Sequence, residues 1–236
     1  MDDMRPAGAR KGEAAFCIIY LVSISVMIIF LNRYFEEAAE VGRKVDAYRY
    51  SFGYMAAILL VGGDAFHLIP RIIYDIRGSL WKKDFLFGLG SLISSITMTL
   101  FYNVLIGMGD SMEFTRISFN FLVELGILLL TIVRIVILLF PQNKWFKNEP
   151  APKWAVARNV PFALIGLLTI IGFINIMANN VNYPGLFYLI ILACVLGSFI
   201  FYMPVALKGK ENPKLGMLMI PKTVCYIVMV AVITFW

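Results

Sequence analysis

Seven stretches of the chain are almost unbroken in their apolar residues: 15–32, 51–70, 85–108, 118–140, 160–178, 184–207 and 215–236. Each approaches the ~20 residues that cross ~30 Å of hydrocarbon at a rise of ~1.5 Å per residue. Most of the charge lies in the short segments between them. Inside lipid only helices or closed barrels satisfy every backbone N–H and C=O, and barrel strands alternate over ~10 residues instead of running continuously apolar. The pattern therefore predicts an all-α polytopic membrane protein, a single transmembrane domain over residues 1–236 folded as a seven-helix bundle. Asp84, Ser118 and Asn159 precede the third, fourth and fifth runs as N-cap residues would, and Pro161 and Pro184 suit first-turn positions where a missing N–H costs nothing. The first run is long for a signal-peptide core, lacks a small-residue cleavage site and ends in Asn32-Arg33, so it reads as a retained helix.

Composition sharpens this picture. At 60% hydrophobic and 15% charged residues, with a mean hydropathy of +0.80, the chain is too apolar for a water-soluble globule, whose apolar share is about 45–50%. A net charge of +6 would suggest nucleic acid in a soluble protein, but here the basic residues occupy loops, where they set topology, and no nucleic-acid partner is expected. Fourteen of the 21 Lys and Arg residues fall on one side: Arg5, Arg10 and Lys11, then Arg71, Arg77, Lys82 and Lys83, then Lys144, Lys147, Lys153 and Arg158, then Lys208, Lys210 and Lys214. Five fall on the other, Arg33, Arg43, Lys44, Arg49 and Arg116, and four of these share their loop with Glu36, Glu37, Glu40 and Asp46. Positive charge stays inside, so the N-terminus is expected in the cytoplasm and the C-terminus outside. Compact loops without a sorting signal point to a bacterial inner (plasma) membrane. Trp81, Trp145, Trp154 and Trp236 lie near the ends of runs, as interfacial tryptophans do. Cys17, Cys194 and Cys225 show no paired spacing and one histidine is available to join them, so neither a disulfide framework nor a metal site is expected.

The two remaining basic residues, Arg134 and Lys222, lie within runs, with Asp64, His67 and Glu124. A charge at membrane depth costs about 2.5–3.5 kcal/mol on insertion scales, which makes each one a candidate for pairing, hydration or function. Asp64 is seven residues from Arg71, Arg134 six from Phe140 and Lys222 eight from Lys214, which places all three roughly 9–12 Å inside the same leaflet. Asp64, His67 and Arg71 are spaced i, i+3, i+7 along one helical stripe. Ser91, Ser94 and Ser95, Ser198 and Tyr202, and Thr223 reach the same leaflet, whereas Glu124 and Asn175 fall nearer the other side. Pro70, Pro204 and Pro221 cluster there too, each able to free a carbonyl and kink its helix. With Asp64, Arg71, Arg134 and Lys222 all charged, the site sums to +2 and favours an anionic head such as phosphate or carboxylate. A buried ion pair that only fixes helix register is the plainer alternative.

Gly63-Asp64, followed after a basic loop by Phe85, Gly88 and Ser91, resembles the lysoplasmalogenase-like (YhhN) membrane family over about residues 51–236. The resemblance implies a multi-helix membrane hydrolase of the lysoplasmalogen vinyl-ether bond, with Asp64 as acid or base. Where that family carries a Ser-Asp pair on its penultimate helix this chain has Ser198-Phe199, and the family's histidine position falls near Ile96. Vinyl-ether hydrolysis protonates a carbon and delivers water, a division of labour suited to two carboxylates; here His67 would take the second role. A lysine on the last of seven helices is also used by retinal-binding opsins, although their chromophore-surrounding pattern is not evident. No Gly-x-Ser-x-Gly, His-Glu-x-x-His, phosphate-binding glycine loop or dinucleotide fingerprint occurs, and no cofactor is expected.

Two functions stay open. One is a lipid-pocket hydrolase with Asp64 and His67 as catalytic groups and Arg71, Ser91, Ser94, Arg134, Ser198, Tyr202 and Lys222 binding substrate. The other is a non-catalytic carrier or receptor for a small anion or anionic lipid, gated by kinked helices two, six and seven. No internal repeat of the transporter kind is visible by eye.

Overall fold

The computed structural model describes residues 7–111, 118–147, 151–179, 184–209 and 213–236. Within these residues the chain forms seven long helices: α1 (Ala7–Glu40), α2 (Lys44–Arg77), α3 (Lys83–Ser111), α4 (Ser118–Leu139), α5 (Pro152–Asn179), α6 (Gly185–Lys208) and α7 (Met219–Phe235). Short 3₁₀ segments, Pro141–Asn143 and Pro213–Leu218, lead toward α5 and into α7. All seven helical segments are long and apolar enough to cross a membrane, and each carries one of the seven apolar runs.

The helices overrun the apolar stretches, for local reasons. Residues 33–50, expected as a loop, are mostly helix. Glu36, Glu37, Ala38, Ala39 and Glu40 are strong helix formers, and α1 ends only where Gly42 (φ +76) reverses the chain. Arg43 ties this turn by reaching Glu37 at 3.4 Å and Asp46 at 3.3 Å. At 34 residues each, α1 and α2 span about 51 Å, so their charged ends extend past a ~30 Å hydrocarbon core. Arg71 and Arg77 likewise belong to α2, which closes on Gly78 in the left-handed conformation with its N–H on the Tyr74 carbonyl.

Four helix-start assignments are corrected. Asp84 lies in the first turn of α3, after Lys83, and Pro184 is the residue before α6. The fifth helix begins at Pro152, so Pro152 holds the first-turn position and Asn159 and Pro161 are buried inside the helix. Lys153 and Arg158 hide this extension from hydropathy, although the residues around them favour helix. Ser118 opens α4, but its side chain lies outside the described residues, as do Arg5, Arg116, Lys210 and the side chain of Lys214. The last helix starts at Met219, later than expected, because residues 213–218 take the tighter 3₁₀ form.

Six helices close a ring in the order α1, α2, α3, α5, α6, α7 and back to α1, while α4 packs outside along the seam between α3 and α5. Tyr20, Leu60, Phe101, Tyr102, Ile165, Tyr226 and Met229 fill the interior. Outward faces are apolar and exposed, as on α4 with Leu125, Leu129, Ile132 and Val136. Such faces make sense where lipid is the solvent and close packing through small residues holds helices together. A methyl on Gly63 would overlap the Thr97 side chain, and one on Gly90 would overlap the Phe66 carbonyl and the His67 Cα. That Phe66 carbonyl is the one Pro70 frees, four residues later in α2. The proline-loosened turn of α2 is therefore seated directly on a glycine of α3.

Candidate functional site

The ring interior holds a polar network to which every helix contributes. On α2, Asp64 accepts the Tyr20 hydroxyl of α1 on Oδ2 at 2.7 Å and the Ser94 hydroxyl of α3 on Oδ1 at 2.8 Å. Hydrogen bonds to a charged acceptor contribute about 1.5–3 kcal/mol each, enough to fix the carboxylate, and its four lone-pair sites leave further capacity. One turn along, His67 Nδ1 sits 3.5 Å from Ser91 Oγ, at the margin of a hydrogen bond. Ser91 also donates to its own helix at the Phe87 carbonyl, 2.7 Å away. Arg71 follows one turn further, in electrostatic reach of His67, and shares its stripe with the buried Asp75 at i+4.

Opposite, Arg134 of α4 is 1% exposed and lies with Cζ 3.5 Å above the Phe162 ring of α5. Its Nε and Nη1 are buried without a hydrogen-bond partner. A desolvated cation over an aromatic face gains about 2 kcal/mol, but the ring offers nothing to the N–H groups, and each buried donor without an acceptor costs about 1–3 kcal/mol. Tyr102, Tyr202 and Tyr226 lie in electrostatic reach of this guanidinium, with Tyr202 in hydrogen-bonding reach. The Tyr202 hydroxyl donates to Asn159 Oδ1 at 3.1 Å, and Asn159 donates to the Ala155 carbonyl at 2.8 Å. Tyr102 and the buried Ser198 pair at 2.9 Å, with Ser198 also donating to the Val195 carbonyl.

Lys222 of α7 joins the two halves. Its Nζ stands 4.9 Å from the Tyr202 ring centroid and 5.2 Å from that of Tyr226. Both Asp64 and Arg134 lie within its electrostatic reach. Among the described residues, however, neither Lys222 nor Arg134 closes an ion pair with Asp64. Three prolines flank the residues in contact with these cations. Pro161 precedes Phe162, Pro204 lies two residues after Tyr202, and Pro221 precedes Lys222 in the first turn of α7.

Of the residues singled out by sequence, the structure brings Asp64 onto Ser94, His67 beside Ser91, and Lys222 beside Tyr202 and within electrostatic reach of Asp64 and Arg134. Thr223 and Ser95 instead bond back to their own helices, at the carbonyls of Met219 and Ser91. Glu124 is ten residues from Arg134 along α4, about 15 Å of rise toward the other end. Tyr20, Tyr102, Tyr226 and Asn159 are members of the network that the reading of charges passed over. The same depth count applied to hydroxyls would have raised Tyr20, ten residues past Arg10 on α1. Phe199, at the resemblance's second aspartate position, packs its ring 4.9 Å from Phe162 and 5.1 Å from Tyr102. No protein-family model, curated protein or solved structure matches the chain.

Proposed function

We propose that this multi-pass membrane protein binds an anionic lipid or small anionic amphiphile inside the ring, as a non-catalytic carrier or receptor. One observation carries the reading: three charges from α2, α4 and α7 lie within electrostatic reach of one another in the interior, yet no ion pair closes among them and Nε and Nη1 of Arg134 stay unmet. A pair serving only to fix helix register would have joined Asp64 to a cation, because a buried charge left alone is strongly destabilising. The prolines beside Phe162 and Tyr202, inside α5 and α6, supply turns with one hydrogen bond fewer, where helices can part to admit a ligand. Asp64, Ser94, Arg134, Ser198, Tyr202 and Lys222 form the binding surface, with His67, Arg71 and Ser91 on the path from the basic end. That end faces the cytoplasm of a bacterial inner membrane in this reading.

Purification in mild detergent followed by native mass spectrometry tests it. The wild type should retain a bound anionic species that Lys222→Ala loses. An empty wild type, together with a Lys222→Ala variant that merely unfolds, would make the cluster structural.

A vinyl-ether hydrolase of the lysoplasmalogenase-like kind is the second reading. What favours it is the seat of Asp64 between two hydroxyls, Tyr20 and Ser94, through which a proton could pass. Release of fatty aldehyde from a lysoplasmalogen, abolished by Asp64→Asn, would establish it; aldehyde release at background level in the wild type would exclude it.

A further inference from the structure

The interior charge can be counted more closely than the sequence allows. Arg71 stands two turns from Asp64 toward the basic end, outside the set of charges that act on Lys222. The charges that Lys222 senses are those of Asp64 and Arg134. One carboxylate and two cations leave a net of one positive charge, not two.

The side-chain acceptors of the network each hold a partner other than Arg134. Asp64 takes Tyr20 and Ser94, Asn159 Oδ1 takes Tyr202, and Ser198 pairs with Tyr102. Phe162 covers one face of the Arg134 guanidinium and cannot meet its edge. Nε and Nη1 of Arg134 are thus open to an acceptor brought by a ligand. We propose, resting on the reading above, that Arg134 and Lys222 take a singly charged oxyanion, a carboxylate or a phosphodiester group. Such a group presents oxygens that match guanidinium donors and brings the interior to neutrality. A doubly charged phosphate monoester would instead leave a net negative charge in a low-dielectric site. The walls around the guanidinium are aromatic, with Tyr102, Phe199 and Tyr202 packed 5.5, 4.9 and 5.4 Å from Phe162. They offer little to a hydrated ion and suit an oxyanion carried on an apolar body.

The test uses the full chain in a neutral maltoside detergent at pH 8.5, with thermal unfolding followed against added probe. Laurate and dodecyl methyl phosphate, each carrying one charge, should raise the midpoint saturably. Dodecyl phosphate, with two charges, should bind at least tenfold more weakly, and dodecanol should have no saturable effect. Acetate acting as tightly as laurate would keep the charge assignment and make a free ion the source; acetate without effect assigns the source to an amphiphile. Arg134→Met should abolish the laurate shift while leaving the ligand-free midpoint unchanged or higher, because an apolar side chain of similar volume replaces an unpaired buried charge. Should that variant fail to fold, Arg134→Lys keeps the charge without the fork and should weaken laurate at least tenfold. Tighter binding of the doubly charged probe would overturn the assignment. So would laurate binding that survives Arg134→Met but is lost in Lys222→Met, which would leave the interior site itself standing. Binding indifferent to both variants would overturn site and assignment together.

Discussion

Asp64 shows what a single side chain contributes when lipid surrounds the bundle. Its carboxylate is bound by one hydroxyl from each neighbouring helix, which ties α1, α2 and α3 together at one depth. Interhelical hydrogen bonds in membrane proteins average only about 0.6 kcal/mol, whereas bonds to a charged group are worth about 1.5–3 kcal/mol. Tyr20→Phe decides between these values. With an ionised Asp64 the substitution should cost about 1.5–3 kcal/mol, and a double-mutant cycle with Asp64→Asn should assign most of that loss to the pair. Reversible unfolding in mixed detergent measures it, and a coupling near 0.6 kcal/mol or below would mean that the carboxylate is not the charged acceptor drawn here. The charges of this site could be read from the chain because an ionisable residue in an apolar run is conspicuous. Ser94, Ser198 and Tyr202 were legible by the same depth count, but Tyr20, Tyr102 and Tyr226 were passed over because they look like ordinary aromatic filling until a partner is seen across the helix interface.

Between elements, the α2–α3 contact depends on where side chains are missing. Gly90 faces backbone, the Phe66 carbonyl and the His67 Cα, neither of which can step aside cheaply. Gly62, one residue before the equally tight Gly63, meets nothing within 4 Å. Gly90→Ala should therefore destabilise by about 1–3 kcal/mol through overpacking and shift His67 away from Ser91. Gly62→Ala should be neutral or stabilise by up to about 1 kcal/mol, the helix-propensity difference between the two residues. Thermal midpoints of the two variants in the same detergent check the contrast, and equal effects would mean that the helices are not seated glycine to carbonyl. The helices themselves were readable from the runs of apolar residues, but their ends were not. Hydropathy stops at the first charge, while α1 and α2 continue through charged helix formers to Gly42 and Gly78, where a left-handed residue breaks the repeat. Asn159 was misread for the same reason: with Lys153 and Arg158 just before it, it resembles a cap, yet it lies buried two turns inside α5 and accepts from Tyr202.

For the whole molecule, the asymmetry of charge governs where the interior site sits. The end that carries the α2–α3 and α4–α5 connections is anchored by cations on aromatic faces: Lys83 lies 3.8 Å from the Tyr74 ring centroid, Lys82 4.3 Å from Trp81 and Arg158 4.6 Å from Trp145. Arg158 also donates to Asn143 at 3.1 Å. At the opposite end Arg43 is held by Glu37 and Asp46, so much of the small basic content there is already offset. Positive charge retained inside would place the first end in the cytoplasm and, with seven crossings, Trp236 outside. A C-terminal alkaline phosphatase fusion should then be active and a C-terminal green fluorescent protein fusion dark. The result bears on function as well as topology. Arg134 lies six residues from Phe140 and Lys222 lies in the first turn of α7, so both belong to the half of the bundle nearer the basic end. An active phosphatase fusion would mean that the oxyanion enters from the cytoplasmic leaflet or cytosol. A fluorescent fusion would invert the bundle and place the same site within reach of the outer leaflet, where the laurate and acetate probes would have to be supplied from outside intact cells.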